Sequence, residues 1–142
     1  MDLKPKNDQY KERIEGHLAR QNFMHHIEFS LHTIKPGYTE GDMKLKPIHF
    51  QQDGFTHGGV IATIADIVAG FAACTLVGAE EHVVTGEIKI SFFRKGKGDI
   101  LKAVGRVIKA GKKMNFCEAE VFSVSDKGET LIAKASTSMI TI

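Results

Sequence analysis

The stretch from Gln51 to Gly78 reads QQDGFTHGGVIATIADIVAGFAACTLVG, a polar turn that opens into a long apolar segment with helical spacing. Between Gly58 and Gly78 the only charged side chain is Asp66. A carboxylate in the middle of a buried helix is costly unless something stabilises it or uses it. With neighbours at three and four residues, the segment has a bulky face (Val60, Ile61, Ile64, Ile67, Val68, Phe71) and a small one (Gly59, Ala62, Thr63, Ala69, Gly70, Ala73), and Asp66 falls on the small one. This predicts a small-residue groove in which another backbone or a ligand approaches the carboxylate. The backbone N–H groups after His57 lack intrahelical partners and carry the positive end of the helix dipole, so they suit an oxyanion. Gly58 and Gly59 leave those donors unobstructed.

Two plainer readings compete. Roughly 20 apolar residues suffice to span a bilayer, but a central Asp opposes insertion by about 2.5–3.5 kcal/mol, and the rest of the chain reads as soluble. Alternatively, Asp66 is a structural carboxylate satisfied by backbone N–H groups or a Lys, and Gly58 and Gly59 only allow close packing.

Outward from this segment, 142 residues give one domain with a real core. Hydrophobic residues at 42% and charged ones at 25% fit a globular protein rather than a disordered one. A net charge of +2 is too small to argue for nucleic acid. Cys74 and Cys117 show neither CxxC nor metal spacing, which fits a reducing compartment. The opening MDLKPKNDQYKER lacks the apolar core of a signal peptide. The expectation is a cytoplasmic protein with neither a membrane nor a nucleic-acid partner.

Residues 1–8 read as a loose arm, followed by a short helical extension at about 8–24, where Tyr10, Ile14, His17 and Leu18 recur at helical spacing. Ile27 to Ile34 alternates as a half-exposed strand, and His25-His26 just before it would, in a strand, point their rings opposite ways. Pro36-Gly37 makes a turn, and a second strand is expected around Met43 to Lys46. After the apolar helix the period becomes two. Val84, Gly86, Ile88, Ile90 and Phe92 alternate with Thr85, Glu87, Lys89 and Ser91, predicting one inner and one outer face. Ile100–Lys109, Met114–Val124 and Thr130–Ile142 follow as strands of an antiparallel meander joined by hairpin-length turns. One long helix against five or six antiparallel strands is an α+β plan, with the sheet curled around the helix.

The seven histidines show no HExxH or other ligand spacing, so no metal site is expected. GxSxG is absent, neither cysteine lies in a nucleophile motif, and no phosphate-binding glycine pattern appears. Arg94, Lys95, Lys97, Lys109, Lys112 and Lys113 gather near predicted strand ends, either as solvated turns or as a landing site for the phosphates of a long ligand.

His57-Gly58-Gly59 entering a helix with Asp66 nine positions after the His, then a β-meander, resembles the hotdog-fold acyl-CoA thioesterases, in particular the PaaI-like (phenylacetic acid degradation) branch. The resemblance covers roughly Ile27 to Ile142 and makes 1–142 a single hotdog domain with the helical extension in front. It implies a central helix wrapped by a curved sheet, subunits joined sheet edge to sheet edge as a dimer or dimer of dimers, and active sites between subunits. By the same resemblance, the Gly58 N–H polarises the thioester carbonyl, Asp66 activates water or attacks directly, His57 shapes the carbonyl site, and Thr85 steadies the water. Gln51 stands where relatives often carry an Asn that assists at the carbonyl, and it is longer by one methylene. The implied activity is hydrolysis of an acyl- or aryl-CoA to free acid and CoA. Arg94, Lys95, Lys109, Lys112 and Lys113 would receive the CoA phosphates, and no cofactor is needed, since CoA is part of the substrate. The alternative is a non-catalytic acyl-CoA-binding or regulatory hotdog protein. A hotdog dehydratase or hydratase would need an Asp/His arrangement not found in the sequence.

Overall fold

In a computed structural model, which describes residues 3–142, the apolar segment forms helix α3 (Gly58–Cys74), and the rest of the chain is built around it. Before it come α1 (Tyr10–Arg20), α2 (Asn22–Ile27), β1 (Ser30–Lys35), β2 (Tyr38–Lys44) and a single 3-10 turn at Pro47–His49; after it come β3 (Val83–Phe92), β4 (Ile100–Lys109), β5 (Met114–Ser125) and β6 (Gly128–Thr141). The six strands make one antiparallel sheet in the order β1-β2-β4-β5-β6-β3. This is the hotdog plan, a central helix wrapped by a curved sheet.

Ile61, Ile64, Ala65, Val68 and Ala72 of α3 are buried against inward residues of the sheet such as Met43, Leu101, Ala103, Val121, Ile132 and Met139. Each large side chain buried in this way contributes about 1.5–3 kcal/mol. The helix and sheet come very close at Gly105, where a Cβ would lie 2.3 Å from the Val68 carbonyl. Only glycine permits that approach. Thr39 is also fully buried, and its hydroxyl donates to the Val68 carbonyl at 2.7 Å, tying β2 to the same turn.

Several sequence expectations are corrected. β4, β5 and β6 form the expected meander, but β3 does not pair with β4. It crosses to the far edge and pairs with β6, while β4 pairs with β2. The strand expected from Ile27 starts at Ser30. Met24 and Ile27, three residues apart, are both buried by a helical turn, which ends at Glu28 in the left-handed region (φ 61°). His25 and His26 therefore lie in the last turn of α2, both exposed, and not on opposite strand faces. The second strand begins at Tyr38, since Pro36-Gly37 is a two-residue hairpin turn with Lys35 opposite Tyr38 and Gly37 at φ 68°. Of the expected loose arm, Met1 and Asp2 lie outside the described residues. Residues 3–8 are docked: the Lys6 N–H donates to the Leu76 carbonyl at 3.3 Å, and Lys6 Nζ pairs with Glu81 at 3.1 Å.

The strict alternation expected of β3 also fails, with a consequence for the site. Thr85 pairs with Met139 and Glu87 with Ser138, so Gly86 is an extra residue, a bulge. Past it the faces exchange. Thr85 shares the helix-facing side with Ile88, Ile90 and Phe92, opposite Thr137, Ala135 and Ala133, while Val84, Glu87 and Lys89 face outward. A Cβ at Gly86 would lie 2.9 Å from Ile140 Cγ1, which favours glycine at the bulge.

Candidate active site

The bulge brings together Thr85 and Asp66, two of the expected site residues. Thr85 Oγ1 donates to Asp66 Oδ1 at 2.7 Å and lies 3.6 Å from Met139 Sδ. Asp66 is half-buried, so its carboxylate keeps access to solvent and avoids the full desolvation of a core charge. The other carboxylate oxygen makes no hydrogen bond among the described residues and is free to take a water.

The expected small-residue groove differs in composition. Ala69 and Ala73 are fully buried, and the Thr63 hydroxyl bonds back to the Gly59 carbonyl at 2.8 Å. Asp66 instead opens onto a cleft of about 370 Å³ walled by Ile67, Gly70 and Phe71 of α3, Val83 of β3, and polar residues of α1.

At the start of α3, His57 is the N-cap: its Nδ1 accepts the Gly59 N–H at 2.8 Å, and its carbonyl accepts from Val60 at 3.0 Å and Ile61 at 3.3 Å. Accepting at Nδ1 puts the ring proton on Nε2. The Gly58 N–H has no hydrogen-bond partner among the described residues, so the helix presents this donor to a ligand. His57 is held in place from below, since its own N–H donates to the His49 carbonyl at 2.8 Å. His49 is 1% exposed and spans the loop, with Nδ1 accepting from the Lys46 N–H and Nε2 donating to the Ile27 carbonyl, both at 3.0 Å.

Gln51 is folded onto its own loop. Its Oε1 accepts the Asp53 N–H, its N–H donates to Phe55 at 2.8 Å, and its carbonyl accepts from Gly54 at 3.1 Å. The side-chain NH₂ alone remains available for a substrate.

The basic residues do not form one cluster. Arg94 bonds the Leu131 carbonyl at 2.9 Å, and Lys95 lies over the Phe55 ring at 4.3 Å, both close to the start of α3, where Thr56 bonds Gly96. Lys109, Lys112 and Lys113 flank the β4–β5 turn at the opposite end of the sheet, on the order of 30 Å along a ten-residue strand.

Burial pushes the Cys74 thiol up to about 11 and the Cys117 thiol up to about 12, so neither is a thiolate nucleophile at neutral pH. Among the described residues no three His, Cys, Asp or Glu side chains are placed to hold a metal ion, and no helix is long and apolar enough to cross a membrane.

Sequence reasoning missed the wall of the cleft that α1 supplies. Arg13, His17 and Arg20 recur at intervals of four and three, one stripe of the helix, and with Gln21 and His82 they line the cleft opposite α3. That polar stripe was the available signal, hidden because His17 was assigned to the apolar repeat.

The Thioesterase superfamily model matches residues 53–130, more than half of the chain, from the loop before α3 into β6. A Pseudomonas aeruginosa protein whose name proposes an esterase is 32% identical over 95 residues, 66% of this chain and 68% of that protein. A thioesterase family protein from Silicibacter pomeroyi superposes with a TM-score of 0.91 at 28% identity, covering 94% of this chain and 98% of the other. The E. coli PaaI protein from the phenylacetic acid degradation operon shares the fold at 18% identity with a TM-score of 0.84, covering 94% of both chains. With a carboxylate and a hydroxyl joined on a hotdog scaffold, and the superfamily match spanning the segment that carries them, this chain belongs to the Thioesterase superfamily.

Proposed function

We propose that the protein hydrolyses acyl-CoA thioesters at a site completed by two copies of the chain. The observation that carries this is the Thr85–Asp66 hydrogen bond at 2.7 Å, together with a Gly58 N–H that has no partner among the described residues. The Thr85 hydroxyl donates its hydrogen bond to Asp66, so its lone pairs can accept from a water that also donates to the carboxylate. That water attacks the thioester carbonyl while Asp66 takes its proton. The carbonyl oxygen gains the negative charge, which the Gly58 N–H and the helix dipole stabilise. The C–S bond then breaks, the sulfur leaves as CoA and recovers the proton, and the free acid remains. The placement of Thr85, suited to orient such a water, supports Asp66 as general base rather than direct nucleophile.

Gly58 and Asp66 lie eight positions apart on one helix, about 12 Å along its axis. One carbonyl cannot reach both in the same chain. Each end of β3, however, carries one of them: Asp66 is bonded to Thr85, and a Cβ at Gly58 would lie 3.6 Å from the Phe92 ring. β3 is an edge strand with an open side, and Val84, Ile88 and Phe92 remain 46%, 37% and 51% exposed. Antiparallel pairing of two β3 edges about a two-fold axis lays the Thr85 end of one copy beside the Phe92 end of the other. Gly58 of one chain then faces Asp66 of its partner.

The same pairing brings Arg94 and Lys95 of one copy toward the end of the sheet that carries Lys112 and Lys113 in the other, a suitable setting for CoA phosphates. A second apolar surface on the outer face, where Val84 and Met114 flank Ile140 across neighbouring strands, suits a dimer of dimers. Two free cysteines and a soluble CoA-linked substrate accord with the cytoplasm.

The test is thiol release from a panel of acyl-CoAs by the wild type and by Asp66→Asn, with melting temperature and acyl-CoA affinity measured alongside. The variant is expected to fold, bind and lose about 10²–10⁴ in kcat. Near-wild-type turnover in a folded variant overturns the mechanism. A wild type that binds acyl-CoA but releases no thiol from any substrate is a binding protein instead.

A further inference from the structure

The cleft that opens beside Asp66 has a wall chemistry unsuited to a plain hydrocarbon tail. Its α3 side is apolar, with Ile67, Gly70 and Phe71, but the α1 side facing it carries Arg20, His17 and Gln21, and His82 approaches from the loop before β3. Arg13, on the same stripe, is already engaged: its guanidinium donates to the Gly78 carbonyl at 3.0 Å and to the Glu81 carbonyl. The side chains of Arg20, His17, Gln21 and His82 have no hydrogen-bond or ion-pair partner among the described residues. Among the described residues Asp66 is the only acidic one lining the cleft, and the Thr85 hydroxyl already occupies one of its accepting positions. Arg20, Gln21 and His82 are exposed at the cleft mouth and His17 is half-buried, so a neutral alkyl chain laid along them would displace their water without offering a partner in exchange. Burial lowers the pKa of His17, helped by Arg13, Arg20 and His82, so it lies in the cleft mainly as a neutral donor and acceptor.

We infer that the cleft holds the acyl half of the substrate and that this acyl group ends in a carboxylate, received by Arg20 with His17 and His82 beside it. The reading rests on the thioesterase mechanism above, because that mechanism places the scissile carbonyl at Asp66. From there the cleft follows α3 to Cys74, two turns or about 12 Å, a reach suited to a short or medium acyl group. The substrate class is then the mono-CoA thioester of a dicarboxylic acid, or an aryl-CoA bearing an acid group. Arg20 is a specificity-determining residue that touches the end of the acyl group remote from the reaction.

The test compares glutaryl-CoA and adipyl-CoA with neutral acyl-CoAs of the same chain length, in wild type and in Arg20→Gln. The ratio of kcat/KM for the carboxylate-ended over the neutral substrate is expected to fall about 10–100-fold in the variant, the size of one charge-assisted hydrogen bond. An equal loss on both substrates would mean that Arg20 holds CoA phosphates and would overturn the inference, as would an unchanged ratio. Binding of free adipate and free hexanoate, followed by calorimetry, gives a readout that needs no turnover. The wild type is expected to prefer adipate, and Arg20→Gln to lose that preference. Equal binding of both acids by the wild type sinks the carboxylate pocket even if thioesters are cleaved, whereas failure to cleave any thioester counts against the hydrolase reading separately.

Discussion

Thr85 is the residue on which the site's chemistry can be dissected most finely, because a single hydroxyl hydrogen links it to Asp66 at 2.7 Å. Thr85→Val keeps the β-branched shape that suits a strand and removes the hydroxyl, whereas Thr85→Ser keeps the hydroxyl. The expected outcome is a roughly 10–100-fold loss of kcat for the valine variant, the worth of a hydrogen bond to a charged group, and near-wild-type turnover for the serine variant. Steady-state kinetics with melting curves check it, and equal losses in both would assign Thr85 to packing. Asp66 stood out in the sequence as a candidate because a lone charge in an apolar helix has few causes. Gly58 was legible because a helix start leaves donors free whatever surrounds it. The capping role of His57 was not, since it depends on a rotamer that turns Nδ1 back to the Gly59 N–H. Gln51 was ambiguous for the same reason: only the folded loop shows its oxygen engaged with the Asp53 N–H.

Among the elements, β3 departs furthest from its sequence pattern, and the departure is what brings Thr85 to Asp66. Strict alternation puts Thr85 on the face opposite Ile88, away from the helix, and the extra residue at Gly86 reverses this. A bulge is one residue in a ladder whose partners here lie more than 50 positions away, so a local periodicity has no means of reporting it. For the same reason the crossover of β3 to β6 was not visible, while the β4–β5–β6 meander was, since short turns force neighbours in sequence to pair. Gly86→Ala brings a Cβ within 2.9 Å of Ile140 Cγ1 and within 3.3 Å of the Ser138 carbonyl. Overpacking of this kind costs about 1–3 kcal/mol. The variant is expected to melt several degrees lower and, beyond that, to lose at least about tenfold in kcat at temperatures where it is fully folded, through displacement of Thr85. Lower stability with unchanged kcat would show that the bulge serves the sheet alone.

For the whole molecule, the question is whether two chains share each site, and the 12 Å between Gly58 and Asp66 along α3 makes it testable by subunit mixing. Gly58 is the first residue of the helix, where proline is well tolerated because the N–H has no intrahelical role, and His57 before it is already extended at φ −60°, ψ 135°. Gly58→Pro therefore removes the proposed oxyanion donor while leaving the helix intact. Asp66→Asn removes the base. Each variant alone is expected to be nearly inactive as a dimer, because both of its sites carry a lesion. In a mixed dimer assembled about a two-fold axis, one site receives both lesions and the other receives neither. Refolding the two variants together at equal concentration should thus return about a quarter of wild-type activity, half of the dimers being mixed and each mixed dimer having one sound site. If Gly58 and Asp66 served one carbonyl within the same chain, every site in the mixture would carry a lesion and no activity would return. Ile88→Lys, which places a charge on the open edge strand, should prevent the pairing and abolish both dimer and activity in a chain that still folds. A fully active monomer in that variant, seen by light scattering at assay concentration, would leave the shared site without support and require the carbonyl to be polarised by a donor closer to Asp66.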